Sequence, residues 1–288
     1  MKIFVFFICI FIQQVVAIER NVLEVIYPPR ESKEDTRDDD IIELLNMILE
    51  ATVYEFGPYT MKPLPYFMNE ARFTILLKKE ISLNVIWRSV TPEYEEELLP
   101  IRVPIRSGIL GYRIFLINKE DQKIFNKIEN VDQLKKLVVG QGHTWNDVKI
   151  FEENNFKIAT GTTYEGLFNM LSKKRFDYFS RGINEAYKEM EERQRIYPEL
   201  HVEETILLYY PWPKYFYVAK GNYKLAKRIE RGFEIIKSNQ SYEKWFWKYN
   251  GKDIFRADFK SRKLFKIDNP LLPKSVPIND EQLWFNPF

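Results

Sequence analysis

The chain has 288 residues, 45% of them hydrophobic and 16% aromatic, enough for one large or two medium domains with a substantial core. Its 43 Lys and Arg nearly balance 41 Asp and Glu, which gives no electrostatic case for nucleic acid or an anionic membrane surface. The one cysteine, Cys9, falls in the first 17 residues, so no disulfide framework is expected to hold the rest together.

Those first residues read as a leader. Lys2 precedes an apolar run over 3–12, then Gln13-Gln14 and Val15-Val16-Ala17, the layout of a signal peptide cleaved after Ala17. The run is short of the roughly 20 residues a spanning helix needs. Ile8 before Cys9 is not the small residue that lipid attachment requires. A periplasmic or secreted location is the expectation.

Beyond the leader, β-branched alternation over 22–27 predicts a strand that stops at Pro28-Pro29, and 30–37 reads as a charged loop. Asp38-Asp39-Asp40 places negative charge at the start of an amphipathic helix over 41–54, where the helix dipole favours it. A strand over 59–64, a helix over 69–79 and a strand over 83–87 follow. Thr91-Pro92 reads as the cap and first position of a helical turn. Residues 112–117 form another strand, and 131–137 a short helix. From 138 to 182 the pattern is strand, helix, strand, helix, strand, a run of parallel βαβ units. Val138-Val139 ends the first of these strands and Gly140-Gln141-Gly142-His143 reads as a turn, with Thr144 or Asn146 capping the next helix. Then come a charged helix over 185–195, strands over 205–210 and 215–219 around Pro211-Trp212-Pro213, and helical stretches over 225–236 and 242–249. The last residues carry Pro270, Pro273, Pro277 and Pro287 and read as an extended surface tail. The chain is thus α/β. Its layout divides into a leader (1–17), a first lobe (18–117), a second lobe (118–210), a return to the first lobe (211–268) and a tail (269–288).

In open α/β sheets ligands lie at the carboxyl ends of strands. Polar residues after these strands are therefore candidates: Gln141, His143, Thr144, Thr160, Thr162 and Arg181. A buried arginine must be paired, so for Arg181 a ligand anion and a structural ion pair are both open. Arg88, beside Ser89, lines the opposite wall or is a solvated loop residue. Trp87 and Trp145 either stack on a ligand or pack in the core. Tyr27 ends the first strand, Arg113 belongs to hinge or cleft, and Asp147 reads as helix-start charge. Metal binding is not expected, because His143 and His201 lie in different segments. No nucleophile elbow, phosphate loop or cofactor fingerprint is present.

In four segments the chain resembles the bacterial extracellular solute-binding proteins of family 3, with the type II periplasmic-binding fold. They are Ser89-Val90-Thr91-Pro92-Glu93; residues 138–144; Thr163-Tyr164-Glu165-Gly166-Leu167 with Leu171 and Arg175-Phe176-Asp177; and Asn222 with Leu225 and residues 229–236. The resemblance implies two lobes joined by two crossings that close like a hinge on a small molecule. It also implies service to a membrane permease of an ABC transporter, or to a receptor, by a monomer. Relatives place an Arg where this chain has Tyr94, to grip a ligand carboxylate, and an Asp where it has Arg181, to receive an ammonium. The zwitterion clamp is therefore altered, and the expected ligand is polar or anionic. Arg88 and Arg181 would supply charge, Ser89, Thr91 and Gln141 hydrogen bonds, and Trp87, Trp145 and Tyr94 apolar walls. A few proteins of this fold are dehydratases of cyclic acids such as prephenate, using a cleft carboxyl as general acid, and a receptor-coupled sensor is a third reading.

Overall fold

The structure, a computed structural model, describes residues 22–31 and 35–288; the leader and its expected cleavage site lie outside them. The chain begins with β1 (Leu23–Tyr27), α1 (Asp39–Ala51), α2 (Val53–Phe56), β2 (Tyr59–Pro63), α3 (Glu70–Lys78), β3 (Ile86–Ser89), α4 (Pro92–Glu97) and β4 (Leu99–Ile101). It continues through β5 (Tyr112–Asn118), α5 (Gln122–Phe125), α6 (Val131–Leu134), β6 (Val138–Gly142), α7 (Asn146–Glu153), β7 (Lys157–Gly161), α8 (Tyr164–Ser172), β8 (Tyr178–Gly182) and α9 (Ile183–Arg193). It ends with β9 (Leu200–Val202), β10 (Ile206–Tyr209), β11 (Lys214–Val218), α10 (Tyr223–Ser238), α11 (Ser241–Ala257) and β12 (Lys263–Lys266). No described helix is long and apolar enough to cross a membrane.

The strands form three sheets. Parallel β1 and β2 make one, β3-β11-β4 another, and β12-β10-β5-β8-β6-β7 a third, in which β9 also pairs with β5. The first two, with α1, α3 and α10, build the first lobe; the third builds the second lobe. β6, β7 and β8 run parallel, as their βαβ spacing requires, and β5 joins β8 antiparallel. Two strands differ from the expected division. Tyr112–Asn118 lies inside the large sheet rather than at the end of the first lobe, and Lys263–Lys266 is that sheet's edge rather than part of the return.

Several elements are longer or shifted relative to the sequence reading. β6 runs on through Gly142, because β7 offers it a partner as far as Gly161 and the two glycines pair. Gly140-Gln141-Gly142 of the expected turn are thus strand, and the chain turns at His143-Thr144. Trp145, not Thr144 or Asn146, occupies the position before α7, and its side chain makes no capping bond. The stretch expected over 242–249 is the 17-residue α11.

Burial explains the packing. In α1, Ile41, Leu44, Leu45, Ile48 and Leu49 form one fully buried stripe, the i, i+3, i+4, i+7 pattern of a helix with one face in the core. That face meets α10, where Gly232 allows close approach: a Cβ there would sit 2.5 Å from the Ile48 carbonyl oxygen. The core of the first lobe runs without a break through Ile109, Tyr112, Ile183 and Tyr187 into one face of the large sheet, including Leu116, Phe168 and Phe179. The sheet's other face has its own core around Phe115, Tyr178 and Leu208, and the outer face of β3-β11 a third around Tyr215 and Tyr217.

Candidate functional site

On the first lobe, the site is built at the start of α1 and the end of β3. Trp87 is buried, and its indole N–H donates to Asp38 Oδ2 at 2.8 Å. Its ring lies 6.0 Å from Tyr27 and 6.3 Å from Phe216. Ser89, two residues further along β3, shares that face of the strand. Asp38 keeps 40% of its side chain exposed and sits 3.6 Å from Lys214 Nζ. Arg106, between β4 and β5, forks Asp40 with two bonds of 2.6 Å and donates to the Arg37 carbonyl at 2.9 Å. Burial pushes the Asp38 carboxyl up, but Lys214 and Arg106, with the Trp87 N–H, outweigh it and hold it below the ordinary range.

Three predicted residues on this side make contacts within the first lobe, Arg88 through strand alternation and Thr91 and Tyr94 through their places at and in α4. Arg88 points to the opposite face of β3 from Trp87, across from Tyr215 in β11. There it donates to the Trp87 carbonyl at 2.9 Å and lies 3.6 Å from Glu70. Tyr94 packs on Tyr217 at 5.7 Å, in the outer core. Thr91 is buried and accepts from the Tyr94 N–H at 3.3 Å as the cap of α4. Arg88, Thr91 and Tyr94, expected to supply charge, a hydrogen bond and an apolar wall, thus each make contacts within the first lobe.

On the second lobe, the ends of β6, β7 and β8 present different groups. His143, Thr144, Thr160 and Thr162 are exposed. Gln141 is fully buried; its amide donates to the Ser180 carbonyl at 3.5 Å. Trp145 is half-buried and stacks on Phe179 at 6.0 Å, with the Arg181 guanidinium 5.0 Å from its ring. Arg181 is only 7% exposed and bonds Glu189 through two N–H groups at 2.7 and 2.6 Å, with Glu185 at 3.2 Å. Of the two roles left open for it, the structure shows the ion pair: Nε and Nη2 are engaged by α9. Arg113 pairs with Asp147 at 2.6 Å, and Tyr210 donates to the same oxygen at 2.7 Å. Asp147 therefore does more than begin a helix; it ties α7 to β5 and to Tyr210, the residue after β10.

Glu185 is the group that faces back toward the first lobe. It accepts from the Gly182 N–H at 2.8 Å and keeps 30% of its side chain exposed. Burial alone would raise its pKa, but Arg181 and Arg113, helped by the Gly182 N–H and by Lys214 from the first lobe, bring it down to about 2. Asp38, Lys214 and Glu185 thus come near one another where the lobes meet, with Arg106 and Arg113 beside them. Sequence reasoning missed Arg106, Lys214 and Glu185. The first two flank the connections between the lobes, and that position is the one signal that points to them. Among the described residues no cluster of His, Cys, Asp and Glu could hold a metal ion.

This arrangement, two lobes with facing strand ends and a gap between them, is the type II periplasmic-binding fold, and solved structures of that class match the chain over most of its length. An ancestral arginine-binding protein with bound arginine is 17% identical, with a TM-score of 0.53, covering 80% of this chain and 98% of that one. A protein of glutathione import in Streptococcus mutans, working with a cystine ABC importer, is 15% identical, with a TM-score of 0.55, over 80% and 95%. A histidine kinase sensor domain similar to periplasmic binding proteins is 13% identical, with a TM-score of 0.55, over 81% and 97%. No protein-family model matches the chain, and no curated protein matches it in sequence.

Proposed function

We propose that this chain is an exported solute-binding protein that holds a small polar or anionic ligand between its lobes, for an importer or a receptor in the membrane. The observation that carries the reading is the partly exposed set of Asp38, Lys214 and Glu185 at the mouth of the gap, beside Trp87 and Trp145. Lys214, 3.6 Å from Asp38, is the cation we assign to a ligand carboxylate, because Arg88 lies on the opposite face of β3 from Trp87 and Arg181 forks Glu189. Asp38 and Glu185 accept from ligand N–H or O–H groups. The binding proteins among the structural neighbours support the same reading, and the importer and kinase-sensor neighbours support both outlets.

A dehydratase reading is less well supported. It needs a cleft carboxyl that keeps its proton at neutral pH. Both Asp38 and Glu185 have lowered pKa values, so at pH 7 both are acceptors. Isothermal calorimetry of the purified protein against amino acids, dipeptides and small carboxylic acids tests the proposal. Saturable binding of one class is expected; heat-silent titrations throughout, with the protein folded, would sink it.

A further inference from the structure

We infer that the segment after α11 is a strap that fixes the angle between the lobes, so that the gap stays at one width instead of swinging open about two connections. Two connections leave a hinge soft, because few contacts oppose rotation about them. Here the chain passes between the lobes four times. The first two are residues 102–111 and Pro211-Trp212-Pro213. The third is α11, which bonds α1 through the Trp245 indole N–H to the Asp40 carbonyl at 2.9 Å. At its far end α11 meets α9 through Arg256 and Glu191 at 2.8 Å, and the chain then adds β12 to the large sheet. The fourth is the tail itself. Leu271 is buried in the second-lobe core, while Leu272 and Val276 pack in the outer core of the first.

The strap also grips both ordinary connections. Asn269 Nδ2 donates to the Pro211 carbonyl at 2.8 Å. Phe285 N–H donates to the Ser107 carbonyl at 2.8 Å, and Tyr112 Oη donates back to the Phe285 carbonyl at 3.1 Å. The Trp284 ring lies directly on Gly108, where φ is +70° and a Cβ would stand 2.3 Å from the ring. Only glycine permits both that backbone and that approach. Opening about the connections has to bend backbone that Trp284 and Phe285 hold at Ser107-Gly108 and Asn269 holds at Pro211. The tail expected to lie along the surface is instead part of the frame, and its prolines sit in successive turns, with Val276 N–H donating to the Pro273 carbonyl and Asp280 N–H to the Pro277 carbonyl.

The test needs no ligand, so it is independent of whether the proposed binding function holds. Spin labels at Glu96→Cys on α4 and Glu152→Cys on α7, in a Cys9→Ser background, report the separation across the gap by pulsed electron resonance. The full chain is expected to give one narrow distance. Trp284→Ala with Phe285→Ala is expected to broaden it or add a longer one. So is a Gly-Gly-Ser insertion between Leu271 and Leu272, the step by which the tail passes from the second-lobe core to the first, which keeps the packing side chains and slackens the strap. A broad or two-peaked distribution in the unaltered chain would overturn the inference, as would an unchanged narrow distance in the folded insertion variant.

Discussion

At Glu185 two opposing effects meet in one side chain. Burial favours the neutral acid, while Arg181 and Arg113 favour the anion and win, leaving a pKa of about 2. An unfolded glutamate titrates near about 4.3. The folded value is the lower one, so ionised Glu185 stabilises the fold fully above about pH 4.3, and that contribution is lost as the pH falls toward 2. The expected result is that Glu185→Gln flattens the acid limb of stability between those values; urea midpoints taken at several pH values would show it, and parallel curves for the two proteins would contradict it. Lys214 is the matching test for binding. If it meets a ligand carboxylate, Lys214→Ala should weaken binding by roughly ten-fold or more, the size of one charge-assisted hydrogen bond, with the thermal midpoint nearly unchanged. Neither residue stands out in the sequence. Lys214 is one basic residue among 43, and Glu185 one acidic residue among 41; only their meeting across the gap marks them.

At the scale of elements, the βαβ run from β6 to β8 is legible because apolar strands alternate with amphipathic helices and sharp turns. β3 and its neighbours show what periodicity leaves out. A strand is predicted there, but which face of it Arg88 occupies depends on the register with β11, set by residues more than 120 positions away. The partner of Arg181 is hidden for a similar reason: Glu189 comes within reach only once α9 folds back along β8. β12 is four residues long and charged at both ends, too short to show alternation. One element contact invites its own test. Arg228 in α10 is 1% exposed and donates to the Leu49 and Gly57 carbonyls at 3.1 and 2.9 Å and to Thr52 Oγ1 at 2.9 Å. It thereby closes the carboxyl end of α1, where carbonyls lack helical partners. Arg228→Met would leave the Gly57 carbonyl without its donor, while Leu49 keeps the Thr52 hydroxyl at 2.8 Å, an expected loss of about 1–3 kcal/mol in chemical unfolding. A loss below about 0.5 kcal/mol, the usual size of a surface substitution, would show that water replaces the guanidinium there.

At the scale of the molecule, the two-lobed plan follows from the order of elements, but the number of ties between the lobes does not. A pattern of helices and strands shows where the chain can cross; it does not show that an apolar core continues through the crossing. Here Ile109, Tyr112, Ile183 and Tyr187 join one lobe's interior to the other's. Unfolding should therefore be a single calorimetric transition, with equal van't Hoff and calorimetric enthalpies. Two resolved transitions would mean that the lobes melt apart and that the shared core is weaker than its burial suggests.

The position of β12 also constrains the order of assembly. β10 pairs on one side with β5 and on the other with this late strand. Until the last part of the chain is delivered, that side of β10 is an open row of amide and carbonyl groups, a template for another molecule's strand. During synthesis the second lobe is therefore exposed to mispairing for as long as its final strand is missing, and chains cut short before Lys263 should aggregate rather than accumulate as a stable fragment.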